Sequence, residues 1–195
     1  MNKPSAPSRW IATDGGPLLV VPRARLPSWR GSFIEGEDGD FVVQTPGGPF
    51  AFCTDYDFEN PRTDYERACR VEGLAGLIDV DGSAGLVVGD APLETTWLAL
   101  DDGGLLAGKI TVEPGANLEA EVSVLGTAKG DWRDEGFTLA GGSYLLMDAL
   151  DHGAVPQREP IPVKLPNGTC QVLTARVSTG LVVWSCIRLT QAKEV

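Results

Sequence analysis

Apolar residues in this chain come in short bursts closed by Gly, Pro, Asn or Asp, a rhythm that predicts strands more often than helices. The clearest burst is Leu18-Leu19-Val20-Val21, which follows Trp10-Ile11-Ala12-Thr13-Asp14-Gly15-Gly16-Pro17 and is closed by Pro22. A glycine pair can turn the chain at positive φ, and four unbroken apolar residues suit a strand buried on both faces. Strands are predicted over 9–13 and 17–22, with Pro27 taking the chain out of the sheet at Leu26-Pro27-Ser28-Trp29-Arg30-Gly31. The alternation Phe41-Val42-Val43-Gln44 and the run Phe50-Ala51-Phe52-Cys53 predict two more. Further strands are expected at 76–80, 84–88, 95–100, 106–113, 137–140, 143–149, 161–165, 169–177 and 181–189. Asp81-Gly82 and Asp102-Gly103-Gly104 read as turns, and Asn167-Gly168 between apolar flanks predicts a tight hairpin.

Two segments read as helices. Asp64 to Val71 has acidic residues in its first turn, with Thr63 or Asp64 placed to cap it. Leu118 to Ala128 keeps Leu118, Val122 and Leu125 at helical spacing behind Asn117. The fold class expected is therefore α+β, predominantly antiparallel β, with one or two short helices. Gly141-Gly142 followed by an apolar run echoes Gly15-Gly16, and Gly180-Leu181-Val182-Val183 echoes Gly85-Leu86-Val87-Val88. These echoes predict two similar β lobes, 9–113 and 114–195, behind a flexible tail at 1–8, with a single domain as the alternative.

Charge sharpens this picture. The formal net charge is −11, and residues 31–66 carry nine acidic residues against Arg62 alone. On the lobe reading, this stretch is an acidic insertion on a repeated scaffold. Its field repels nucleic acid and attracts basic partners. No apolar run approaches the length of a bilayer span, and the first eight residues lack the apolar core of a secretion signal, so a cytoplasmic protein is expected.

Candidate chemistry is sparse. His152, in Asp151-His152-Gly153, is the only histidine and reads as a solvated loop residue. No nucleophile elbow or phosphate loop is present. Cys53, Cys69, Cys170 and Cys186 lack metal-ligand spacing and read as small, mostly buried thiols. Asp79-Val80-Asp81-Gly82-Ser83 with Asp90 has the carboxylate spacing of a calcium loop, but Ala84 stands where such a loop needs glycine. No metal and no cofactor is expected. The five tryptophans, Trp10, Trp29, Trp97, Trp132 and Trp184, read mainly as core.

Several stretches belong together: Trp10-Ile11 with Asp14-Gly15-Gly16-Pro17-Leu18-Leu19, then Leu26 to Gly31, then Asp64-Tyr65-Glu66-Arg67-Ala68-Cys69. Gly85 to Leu98 follows, with Pro92-Leu93-Glu94-Thr95-Thr96-Trp97-Leu98 its most specific part, then Gly103-Gly104-Leu105-Leu106. In these residues the chain resembles the immunity protein 21 family of bacterial polymorphic toxin systems, over roughly residues 9–189. It departs from the family in the long acidic passage before Asp64 and in the shortened helix near 118–128. The resemblance implies a mostly β cytoplasmic protein that binds and neutralises a toxin domain, with no catalytic residues to carry over. Trp10, Gly15, Gly16, Pro17, Trp29, Tyr65, Thr95, Thr96 and Trp97 are its motif positions, expected to be structural. The toxin-facing surface is expected at Glu35, Glu37, Asp38, Asp40, Asp55, Asp57 and Glu59, against a basic toxin domain such as a nuclease. Competing readings are a carboxylate-dependent hydrolase on a β scaffold, and a regulatory module for some other basic protein.

Overall fold

The structure is a computed structural model, described here for residues 9–13, 15–38, 41–89 and 93–192. The tail at 1–8, Asp14, Asp40 and Asp90 to Pro92 lie outside the described residues. The main sheet contains β1 (Leu18–Pro22), β5 (Ala75–Val80), β6 (Ser83–Val88), β7 (Thr95–Leu100), β8 (Gly103–Val112), β9 (Arg133–Asp148), β10 (Ile161–Thr179) and β11 (Val182–Gln191). Its order is β5-β6-β1-β9-β10-β11-β8-β7, and every pairing is antiparallel. Strands from both sides of residue 113 share it, with β9, β10 and β11 at the centre. A second sheet of β2 (Phe33–Glu35), β3 (Val42–Thr45) and β4 (Gly48–Phe52), ordered β2-β4-β3, lies within the acidic segment. The fold is α+β and predominantly antiparallel β.

Burial explains the apolar bursts. Along β1, Leu18 and Val20 join a core on one face of the sheet, while Leu19 and Val21 join a second core on the other. The first core links residues of β1, β5 and β6 with Leu106 of β8 and Ile187 of β11, so this face curls upon itself. The outer face is closed twice. Trp29, Tyr65 and Ala68 cover it over β1, β6 and β9, and α2 (Leu118–Leu125) covers it with Val122 and Leu125 against Trp184 and Leu105. Asn117 caps α2, its side-chain oxygen accepting from the Ala120 amide at 3.2 Å. Of the tryptophans, Trp29 and Trp184 are fully buried; Trp10, Trp97 and Trp132 pack against core clusters.

Four expectations are corrected. Residues 9–13 form no strand, only the bridge between Ile11 and Thr95. The pairs 137–140 with 143–149, and 161–165 with 169–177, merge into the long strands β9 and β10. Asn167-Gly168 makes no hairpin: between Leu165↔Gly142 and Thr169↔Ala140, β10 spends three residues where β9 spends one. The φ of +95° at Gly168 allows this bulge, and Gly141 leaves room for the Pro166 carbonyl that would overlap any Cβ there. His152 is buried, not solvated.

Asp79–Ser83 forms the tight turn between β5 and β6, with positive φ at Asp81 and Gly82. All four cysteines are free, and three are buried. Cys170 and Cys186 sit on adjacent strands but out of register, Cys170 opposite Gln191 and Cys186 opposite Ala175.

Two buried carboxylates lie where β9 ends. Asp148 is paired by Arg158 at 3.6 Å, and Asp151 accepts from the Gln157 amide at 3.1 Å. Burial, and then the charge of Asp148, push the Asp151 carboxyl up to about 6. Between the ordinary value near 4 and that raised value the folded chain holds a proton the unfolded chain has lost, so stability falls as pH rises through that window. The loss is about 3 kcal/mol from the size of the shift. Asp151→Asn removes the slope, and urea unfolding at pH 4.5 and 7 should find the variant more stable than the parent at pH 7 only. An equal effect at both pH values would refute this.

Candidate functional site

The small sheet is tied to the large one through Trp29 to Ser32. The Trp29 ring donates from Nε1 to the Ala149 carbonyl at 3.0 Å, and the Ser32 amide donates to the Leu150 carbonyl at 3.0 Å. Gly31 between them has φ +58° and lies against the Leu150 and Asp151 carbonyls, a position closed to any side chain. Phe33 and Phe50 of the small sheet then meet the His152 ring, with centroids 5.7 and 4.9 Å away. Histidine Nδ1 accepts from the Ala154 amide at 3.1 Å, which leaves the proton on Nε2. Burial, then the charge of Arg30, lower the His152 pKa and keep the ring neutral. Its Nε2–H has no hydrogen-bond partner among the described residues, and the rings of Phe33 and Phe50 lie beside it.

The loop after β4 is built around Glu66, on α1 (Asp64–Cys69). Thr63 caps α1 in a reciprocal capping box with Glu66. The Glu66 carboxylate, fully buried, accepts from the amides of Asp57 at 2.6 Å, Arg62 at 2.7 Å and Thr63 at 2.7 Å. Burial alone would push this carboxyl up; those amide donors outweigh it, and it sits below its ordinary value. Tyr56 packs between Phe58 and Tyr65 and hydrogen bonds with the Ser32 hydroxyl at 3.0 Å. The result is a rigid acidic rim.

Between small sheet and body runs a groove of about 1140 Å³, walled by Leu26–Ser28, Phe33–Glu35, Phe50, Arg62–Asp64 and His152–Ala154. Of its carboxylates, Asp64 accepts from the Arg30 amide at 2.8 Å and pairs with Arg67, and Asp81 pairs with Arg25 at 2.8 Å. Glu35 is exposed and has no partner among the described residues.

The expected surface residues divide by role. Glu35, Glu37, Asp38 and Glu59 are exposed without an ion pair among the described residues, and Asp40 lies outside them. Asp55 is exposed and faces Arg62 at 3.7 Å. Asp57 is a turn former: its Oδ1 accepts from the Glu59 and Asn60 amides, both at 3.0 Å, and those bonds with Asn60 hold its carboxyl below the ordinary range. Interleaved with these acids are Ile34, Phe41 and Phe58, three of the exposed large hydrophobic side chains. Acid-counting alone missed those apolar residues; the Phe41-Val42-Val43 alternation was the available signal.

The motif positions lie in other places. Gly15 and Gly16 turn into β1, and a Cβ at Gly16 would come within 2.5 Å of the Tyr65 hydroxyl. The Pro17 carbonyl accepts from the Ala149 amide at 3.2 Å. Thr95 pairs with Ile11 through both backbone groups, and the Thr96 hydroxyl donates to the Arg9 carbonyl at 2.6 Å. Trp97 lies against Gly104, and Trp10 stacks on Trp184 with the Lys109 ammonium 4.4 Å above its ring. No helix among the described residues is long and apolar enough to cross a membrane. A family model described as Immunity protein 21 matches residues 9–182. No curated protein and no solved structure matches the chain.

Proposed function

This chain belongs to the immunity protein 21 family, and from that premise we propose that it binds one cognate toxin domain through the surface of segment 31–66 and neutralises it stoichiometrically, without catalysis. The family suggests toxin-neutralising immunity and implies a non-catalytic inhibitor. The observation that supports this surface is its mixture: Glu35, Glu37 and Glu59, without ion-pair partners among the described residues, stand among exposed Ile34, Phe41 and Phe58 on a frame bonded through Glu66 and Trp29. Exposed apolar groups supply the desolvated centre of an interface, and unpaired charges at its edge steer the encounter. A negative rim suits a basic toxin cleft such as that of a nuclease.

The test uses the cognate toxin domain, sought first in the gene next to this one and inactivated by mutation, with the reversal of Glu35, Glu37 and Glu59 together to lysine. Asp57 is left intact because its carboxylate builds the loop. The association rate at low salt should fall on the order of tenfold, and its dependence on salt should flatten. Affinity unaltered at both low and high salt would mean that the toxin binds elsewhere.

A further inference from the structure

We propose that the outer edge of β3 receives an extended, basic segment of the toxin as a fourth strand of the small sheet, an inference that rests on the reading above and specifies its mode. The hydrogen-bond phase of the sheet carries it. The Phe52 amide donates to the Phe41 carbonyl at 2.8 Å, and the register runs Val42↔Ala51, Val43↔Phe50, Gln44↔Pro49, Thr45↔Gly48. Residues opposite one another in an antiparallel pair alternate between exchanging hydrogen bonds and not doing so. Phe41, Val43 and Thr45 therefore bond inward to β4, while the N–H and C=O of Val42 and Gln44 point away from it. Proline at position 49 fits this phase: it faces β2 on its bonding side, where its carbonyl accepts from the Gly36 amide at 3.1 Å.

Positions on three other sheet edges are already bonded among the described residues. On β7, Ile11 takes both backbone groups of Thr95; on β5, Arg67 donates to the Asp79 carbonyl at 2.8 Å; on β2, the Phe33 amide is bonded to the Arg30 carbonyl at 3.1 Å. On β3 no strand among the described residues lies beyond Val42–Thr45, and the strand carries no lysine, proline or bulge, the usual devices that keep an edge from pairing. Phe41, 50% exposed, stands at the start of this edge as an apolar contact for an incoming side chain. Charge selects the occupant. Glu35 shares a row with Phe50 and Val43, so it stands three strand spacings, about 14 Å, from the position of an added strand, and Glu37 and Asp38 follow it in the chain. The field of these exposed acids and of the chain's net charge of −11 favours an added strand bearing Lys or Arg, whereas a second copy of this acidic chain would bring like charge to like charge.

Amide hydrogen exchange on the full chain, free and with the same inactivated toxin domain, tests this. Exchange at Val42 and Gln44 should slow at least tenfold in the complex. Gln44→Pro, which removes an outward N–H without touching a bond to β4, should weaken toxin binding at least tenfold more than Gln44→Ala. A complex that forms while both amides exchange at their free rate overturns strand addition and leaves the function standing. Protection that rises with protein concentration in the absence of toxin overturns it in favour of self-pairing. Absence of any complex with the parent chain overturns the function itself.

Discussion

Glu66→Ala is expected to destabilise the protein by about 4 kcal/mol, because it strips the acceptor from three backbone amides at once in a buried site. Each of those donors costs about 1–3 kcal/mol when left unsatisfied away from water. Glu66→Gln keeps the shape and still loses much of this. The Asp57 amide meets one oxygen, and the Arg62 and Thr63 amides meet the other, so whichever way the glutamine amide turns, an NH₂ faces a donor. Urea unfolding at pH 7 measures the loss, and amide exchange at Asp57, Arg62 and Thr63 locates it. The pH dependence follows from the depressed pKa. Its contribution is complete above the ordinary glutamate value and is lost as pH falls through the lower folded value, so parent and Glu66→Gln stabilities should converge in acid. Equal stability of parent and Glu66→Gln at pH 7 would show that the carboxylate is not the organiser of this loop.

That role bears on how the acidic stretch reads as sequence. Counted as charges, the nine acids of 31–66 look alike. In three dimensions Glu66 is an internal ligand for backbone amides, Asp57 closes a turn, Asp64 holds the Arg30 amide, and the exposed remainder is smaller than the count suggests. A capping box can be seen in Thr63-x-x-Glu66; two amides arriving from before the helix cannot, because only the path of the loop brings them there. The same limit hid the bulge in β10. Asn-Gly between apolar flanks carries the same local signal whether a chain reverses or merely kinks. What decides is the opposite strand, where glycine at 141 admits the Pro166 carbonyl. By contrast, Leu18 to Val21 declared its two-sided burial outright, since a strand with water on either face would alternate. His152 was misread for want of its neighbours: a turn histidine is exposed by default, and here Phe33 and Phe50 arrive from a sheet that local pattern resolved only in part.

The connection between the two sheets should fail at Trp29. Its side chain is fully buried among Leu19, Val21, Tyr65 and Met147, and its ring N–H serves the Ala149 carbonyl where β9 has just ended. Trp29→Ala removes the largest apolar group of this outer core and is expected to cost about 4 kcal/mol. Trp29→Phe keeps much of the contact but orphans the carbonyl and is expected to cost about 2 kcal/mol. For a chain of this length these losses correspond to falls in Tm of about 8–16 °C and 4–8 °C respectively. The backbone around the site is committed as well, since the Trp29 amide donates to Leu26 at 3.1 Å and its carbonyl accepts from Gly153 at 2.8 Å. Loss of the ring should therefore loosen both walls of the groove, and toxin affinity should fall in Trp29→Phe even at temperatures where the variant is fully folded. Thermal unfolding and toxin titration of the same preparation separate the two effects. A phenylalanine variant that loses stability but holds the toxin with parental affinity would show that the small sheet keeps its place without this anchor.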